Sequence, residues 1–114
     1  MNIVDPEIIR ELVEPPRADF EILVPKDLFY LQGHFAERPV LPGVVQIHWA
    51  IQLAKSHLQL QSLFAGIEAL KFHRIIEPMT SLKLTLERSA ETGKLRFSYV
   101  SDFGTHSQGR ILFE

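Results

Sequence analysis

Cysteine is absent from the 114 residues. That excludes disulfides and thiolate-based metal centres, and it fits a reducing compartment. An excess of either charge is missing too. Twelve Lys and Arg against fourteen Asp and Glu leave a net charge of −2, a balance that points neither to nucleic acid nor to an anionic membrane. No uninterrupted apolar run is long enough to span a bilayer, because the most apolar stretch, 44–58, is broken by Gln46, His48, Gln52 and Lys55. The opening MNIVDPEIIREL carries acids before any base and has no long apolar core. A secretory leader is therefore not expected, and the expected address is cytoplasmic. Repeats, low-complexity tracts and linkers are lacking as well. What remains is 46% hydrophobic, enough for one core, so 1–114 reads as a single domain.

The stretch that organises the chain is 31–54, LQGHFAERPVLPGVVQIHWAIQLA. A loop carrying His34 between Gly33 and Phe35 is followed by Pro39 and Pro42, and Pro42-Gly43 reads as a helix start because proline suits the first turn. From Val44 to about Leu58 the run lacks Gly and Pro and is apolar on almost every face, which predicts a buried central helix. Ahead of it, Asp5 as cap, Pro6 at the first helical position and acids in the first turn predict a short helix over 5–13, so residues 1–16 form an N-terminal helical appendage. Phe20 to Val24 is β-rich and closes at Pro25.

Beyond the helix, 64–76 reads as one long strand of period 2. Ile67, Ala69, Lys71, His73 and Ile75 fall on one face, with Glu68, Leu70, Phe72 and Arg74 on the other. Residues 81–89 alternate with Leu82, Leu84 and Leu86 inward. Residues 94–101 alternate with Leu95, Phe97 and Tyr99, and 105–113 forms a last strand. The tally is a strand, a long helix and an antiparallel meander of three or four strands. A helix wrapped by one curved antiparallel sheet is the simplest α+β solution, since each must cover an apolar face.

Gly33-His34-Phe35 followed by Arg38-Pro39-Val40-Leu41-Pro42-Gly43-Val44 closely resembles the signature of the hotdog-fold 3-hydroxyacyl-[acyl-carrier-protein] dehydratases (FabZ- and FabA-like). The variant here is most like the ApeI-like dehydratases of aryl-polyene-type clusters. The resemblance covers roughly 18–114, with Glu77-Pro78-Met79-Thr80 at a turn that usually reads Pro-Gly-Asp. It implies a hotdog fold and formation of trans-2-enoyl thioesters from 3-hydroxyacyl thioesters in fatty acid or polyene biosynthesis. No cofactor is implied beyond the phosphopantetheine arm of acyl-carrier protein that holds the substrate.

Such a dehydration removes a proton from C2, protonates the departing C3 hydroxyl and holds enolate-like charge on the thioester oxygen. Histidine titrates near neutrality and suits the first task, and glycine beside it lets a ligand approach the backbone. A helix N-terminus offers unpaired N–H groups of favourable dipole sign for the third. By resemblance His34 is the base, Gly43 supplies the oxyanion amide and the Val40 carbonyl orients the histidine. Phe35, Pro42, Val44 and the apolar helix line the acyl site.

The family's Asp or Glu, fourteen residues after the catalytic histidine, is His48 here, while its glutamine one turn on is present as Gln52. Three readings stand side by side. His48 replaces the carboxylate as acid, or His34 works alone with a water held by His48 and Gln52, or the site is degraded and the chain is a non-catalytic or acyl-binding partner subunit. A hotdog thioesterase would want a carboxylate near the helix start, where Val44, Val45, Gln46 and Ile47 offer none.

The remaining histidines read as structural. His57 suits the helix C-terminus, and His73 and His106 lie in strands. The five histidines show no ligand spacing, so no metal is expected. Trp49 reads as core or interface. Glu37 sits where the family often has glycine and reads as a solvated loop residue, and Arg38, Lys71 and Arg74 as solvated surface that could alternatively meet acyl-carrier protein. The resemblance further implies edge-to-edge pairing, as a homodimer, a heterodimer with a related hotdog subunit, or a hexamer of dimers.

Overall fold

The structure, a computed structural model, describes residues 2–31 and 39–114. Its elements are β1 (Glu7–Glu14), β2 (Arg17–Leu23), a 3-10 turn (Phe29–Leu31), α1 (Gly43–His57), β3 (Phe64–Phe72), β4 (Ser81–Arg88), β5 (Leu95–Ser101) and β6 (Gly104–Phe113). The strands form one six-stranded sheet in the order β1-β2-β4-β5-β6-β3, antiparallel throughout.

The alternating strands supply the core as their period requires. Phe20, Leu84, Tyr99 and Ser107 stand opposite one another across four strands, and Ala18, Leu86, Phe97 and Gly109 form the next row. All eight are buried, and α1 lies over them with Val45, Gln46, Trp49, Ala50, Leu53 and Ala54 turned inward. Gly109 is needed in its row, because a Cβ there would lie 3.0 Å from the Phe97 ring and 3.3 Å from the Leu70 backbone. The outer face is polar and carries exposed ion pairs such as Arg17–Asp19 at 2.9 Å. The hydrogen bond from Arg17 holds the Asp19 carboxyl below its ordinary value.

Three expectations are corrected and one is narrowed. Residues 7–14 are a strand, not part of a helical appendage: β1 pairs with β2 from Glu7↔Leu23 to Glu14↔Arg17 around a Pro15-Pro16 turn. A helix cap contributes about 1 kcal/mol and an isolated nine-residue helix is marginal in water. Adding a strand to an open sheet edge satisfies the same backbone groups, and Ile8, Ile9 and Val13 favour it. Second, the strand after the helix stops at Phe72, short of Ile76. Ala69 has φ of 54° and the pairing slips between Glu68 and Lys71, so the strict two-face alternation expected over 67–75 fails at a bulge.

Third, the meander of three or four strands expected after α1 has three strands. β4, β5 and β6 follow one another, but β3 crosses to the far edge and pairs with β6. Fourth, α1 is covered on one side only. Val44, 73% accessible, His48, Gln52 and Lys55 are exposed, with Ile47 and Ile51 half-buried, so its all-round apolarity is not explained by burial within one subunit.

Candidate active site

The segment entering α1 is extended and then helical. Pro42, with φ −61° and ψ 145°, is the residue before the first turn, and it supplies no side-chain cap. Its carbonyl accepts from the Val45 amide at 3.1 Å and the Gln46 amide at 3.2 Å. The Gly43 and Val44 amides therefore precede the first intrahelical bonds, where helix geometry leaves donors without partners in the helix. No acid stands in the first turn. The N-terminus thus keeps its positive dipole end, the electrostatic setting that favours a developing oxyanion.

Phe72, at the end of β3, packs against this point. A Cβ built on Gly43 would lie 2.5 Å from the tip of the Phe72 ring, so glycine here allows an aromatic ring to close over the helix start. That ring is itself 51% accessible and can shift. Sequence reading gave Phe72 only a strand face; its meeting with Gly43 depends on the β3 crossover, which no local signal announces.

The loop ahead of the helix is pinned to the sheet. The Leu41 amide donates to the Ile76 carbonyl at 2.7 Å, and the Gln46 side-chain amide donates to the Leu41 carbonyl at 3.2 Å. Ser107 Oγ donates to Gln46 Oε1 at 2.6 Å, and the Tyr99 hydroxyl donates to the Gln46 main-chain carbonyl at 2.6 Å. Burial pushes the Tyr99 phenol well above its ordinary value, keeping it in the O–H form that this bond requires. Gln46 was not singled out as a positioning residue from the sequence. The available signal was a polar residue in helical register with Trp49, Ala50 and Leu53, on the face that turns inward.

Of the expected site residues, His34 and Phe35, with Gly33, Glu37 and Arg38, lie outside the described residues. Gly43 is the first residue of α1, and Val40 and Pro42 are half-buried beside it. Val44, His48 and Gln52 follow at intervals of four along the open face of the helix. His48 is thus surface-facing within one subunit rather than a core residue.

His57 bonds Glu11 at 3.0 Å and the Leu53 carbonyl at 3.1 Å. Buried His106 bridges the Ile75 carbonyl at 2.9 Å and Ser101 Oγ at 2.6 Å. His73 is exposed beside Gln108. Lys71 and Arg74 are exposed, and the Arg74 guanidinium lies 6.0 Å from the centroid of the Phe103 ring. Trp49 is core.

One long helix laid on a curved six-stranded antiparallel sheet, with its N-terminus opening beside the sheet edge, is the hotdog fold of the acyl-thioester dehydratases. Residues 10–110 match the profile of the ApeI-like family, the ApeI dehydratases, and the chain belongs to that family. The dehydratase heterocomplex ApeI:P from Xenorhabdus doucetiae is 32% identical over 96% of this chain and 97% of its counterpart, with a TM-score of 0.87. An uncharacterized protein from Erwinia carotovora subsp. atroseptica is 31% identical over 96% and 95%, also with a TM-score of 0.87. The 3-hydroxyacyl-[acyl-carrier-protein] dehydratase FabZ of Natranaerobius thermophilus is 32% identical across 74% of this chain and 66% of its own length. Its Clostridium novyi counterpart is matched over 46% of its length, so the chain spans under two thirds of these curated relatives.

Proposed function

We propose that this protein dehydrates 3-hydroxyacyl thioesters carried on acyl-carrier protein, giving trans-2-enoyl thioesters in fatty acid or polyene biosynthesis. The observation that carries this reading is the uncapped start of α1 at Gly43, opening next to His48 and Gln52 on the free helix face of an ApeI-like chain.

In this reading the Gly43 N–H donates to the thioester oxygen as charge develops there. His34 takes the C2 proton, the C3–O bond breaks, and His48 as imidazolium delivers a proton to the departing hydroxyl, which leaves as water. Gln52, one turn along, steadies the group being protonated. Phe35, Val40, Pro42 and Val44 surround the acyl chain and the histidine loop. The reaction calls on no metal and no cofactor of the protein's own, because the substrate arrives on its phosphopantetheine arm. A cytoplasmic address accords with a chain free of cysteine.

The open helix face and the β3 edge call for a second hotdog subunit. Val44, Phe72 and Ile75 are exposed apolar residues in this region, and β3 is an unpaired edge of the kind that strand addition removes. A pair of subunits, whether two copies or this chain with a relative as in ApeI:P, would cover both. The partner-subunit reading without catalysis follows from the resemblance, in which His48 stands where the family has a carboxylate. A thioesterase is disfavoured by the absence of an acid in the first turn of α1.

Hydration of crotonyl thioesters on acyl-carrier protein and on coenzyme A, followed in both directions, tests the reading. Turnover is expected with the carrier-bound substrate. A pure, paired protein that turns over neither thioester would reduce the chain to a partner subunit.

Gly43→Ala gives a second expected result. Because the Phe72 ring can turn aside, the fold should lose about 1 kcal/mol or less. The new methyl, however, stands where the thioester meets the helix amides, and turnover should fall on the order of 10²-fold. Thermal melts beside kinetics separate the two effects.

A further inference from the structure

Among the described residues, three polar side chains are buried together with the core: Gln46, His106 and Ser107. All three converge on the segment leading into α1. Ser107 Oγ fixes Gln46 Oε1 at 2.6 Å, which turns the Gln46 amide nitrogen toward the Leu41 carbonyl at 3.2 Å. His106 Nδ1 fixes the Ile75 carbonyl at 2.9 Å, and the His106 carbonyl accepts from the His73 and Arg74 amides at 2.8 and 3.2 Å. The next carbonyl, of Ile76, takes the Leu41 amide at 2.7 Å. Two neighbours on β6 thus hold Leu41 from both sides, one through its carbonyl and one through its amide.

We propose that Gln46, backed by Ser107, is a positioning residue that sets the orientation of the Leu41–Gly43 peptides and thereby aims the Gly43 amide at the substrate oxygen. The proposal rests on the dehydratase reading above for its kinetic consequence, but not for its structural one. An apolar residue of the same length would fill position 46 but leave the buried Ser107 hydroxyl and the Leu41 carbonyl without this partner, so glutamine answers to those two groups and not to packing alone. What glutamine adds is direction. Its planar amide accepts from Ser107 at one end and donates to Leu41 at the other, so it transmits the position of β6 to the loop. The bond runs back from the first turn of α1 to the residue before Pro42, closing a small ring that contains Pro42 and Gly43.

Gln46→Glu, Gln46→Met and Ser107→Ala test this in the paired protein. The glutamate keeps the side chain's length and can still accept from Ser107, but when ionised it has no hydrogen to donate to Leu41. Met keeps volume and removes both bonds. The expected result is a fall in kcat of roughly 10²-fold for both Gln46 variants, with KM changed by no more than about threefold. Ser107→Ala should give a smaller fall that vanishes in the Gln46→Met background, because Ser107 acts through Gln46. In ¹H–¹⁵N spectra the Leu41 and Gly43 amides should move and exchange faster while strand amides of β4 and β5 stay put.

Gln46→Met with wild-type kcat and an unmoved Gly43 resonance would overturn the proposal. So would losses that track a global fall in melting temperature with shifts spread across the sheet, or additive effects of the two sites. Should the wild type show no turnover on any thioester, the dehydratase reading fails. The amide shifts and exchange rates then decide the positioning role by themselves.

Discussion

His34→Ala is expected to lower kcat/KM for hydration of a carrier-bound enoyl thioester by about 10²–10⁴-fold, the contribution of one positioned proton-transfer group. His48→Ala decides what the second group does. If His48 is the acid, its loss should match that of His34, and the double variant should be little worse than either single one, since both serve one transition state. If His48 only holds a water with Gln52, its loss should cost distinctly less. His48→Glu is the informative third variant, because it places a carboxylate at the helix position where the resemblance puts the family's Asp or Glu. Equal or higher activity in that variant would mean that the remaining geometry, the Gly43 amide included, is fully competent. Activity unchanged in all three variants would remove both histidines from the chemistry. Steady-state kinetics at several pH values, on protein of verified pairing, supplies the measurement.

Leu82, Leu84 and Leu86, then Leu95, Phe97 and Tyr99, were legible as inward rows because a strand with one covered face needs strict alternation, and every one of them is buried. The start of α1 was legible at Pro42-Gly43 because proline and the following apolar run constrain the backbone locally; the helix runs Gly43–His57. What failed was non-local. Asp5-Pro6 carries a helix cap's chemistry, and only the presence of a free β2 edge makes Glu7–Glu14 a strand. The bulge at Ala69 and the pairing of β3 with β6 depend on contacts far along the chain, from Phe64↔Phe113 to Phe72↔Ser107. The open face of α1 misled for a related reason: Val44, Ile47 and Ile51 are apolar, yet within one chain nothing buries them fully. A sequence records the apolarity a subunit interface requires without saying which molecule supplies the other side. Gln46 was legible in kind, as a lone polar residue in a core register, but its partner Ser107 stands on β6, far along the chain.

Trp49→Ala is expected to produce the largest loss of stability. The indole is fully buried, and its Nε1 donates to the Val4 carbonyl at 3.0 Å, so it joins the middle of α1 to the chain ahead of β1. That N-terminal segment is tied down a second time where the Phe29 amide donates to the Ile3 carbonyl at 2.7 Å. Truncation removes the transfer free energy of the ring and leaves a cavity between helix and sheet, together about 3–5 kcal/mol. Against the 5–15 kcal/mol typical of a whole domain, this is a large share, and it corresponds to a fall in melting temperature of roughly 10–25 °C. Trp49→Phe keeps most of the apolar volume and loses the bond to Val4, so it should cost nearer 1–2 kcal/mol. The melts need one fixed protein concentration, because the subunit pairing proposed above would add its own stabilisation to the folded state. If Trp49→Ala melts within about 1 kcal/mol of the wild type under those conditions, the indole is not seated between α1 and the sheet. The packing that sets α1, and with it the aim of Gly43, would then have to rest on the Leu53 and Ala54 turn instead.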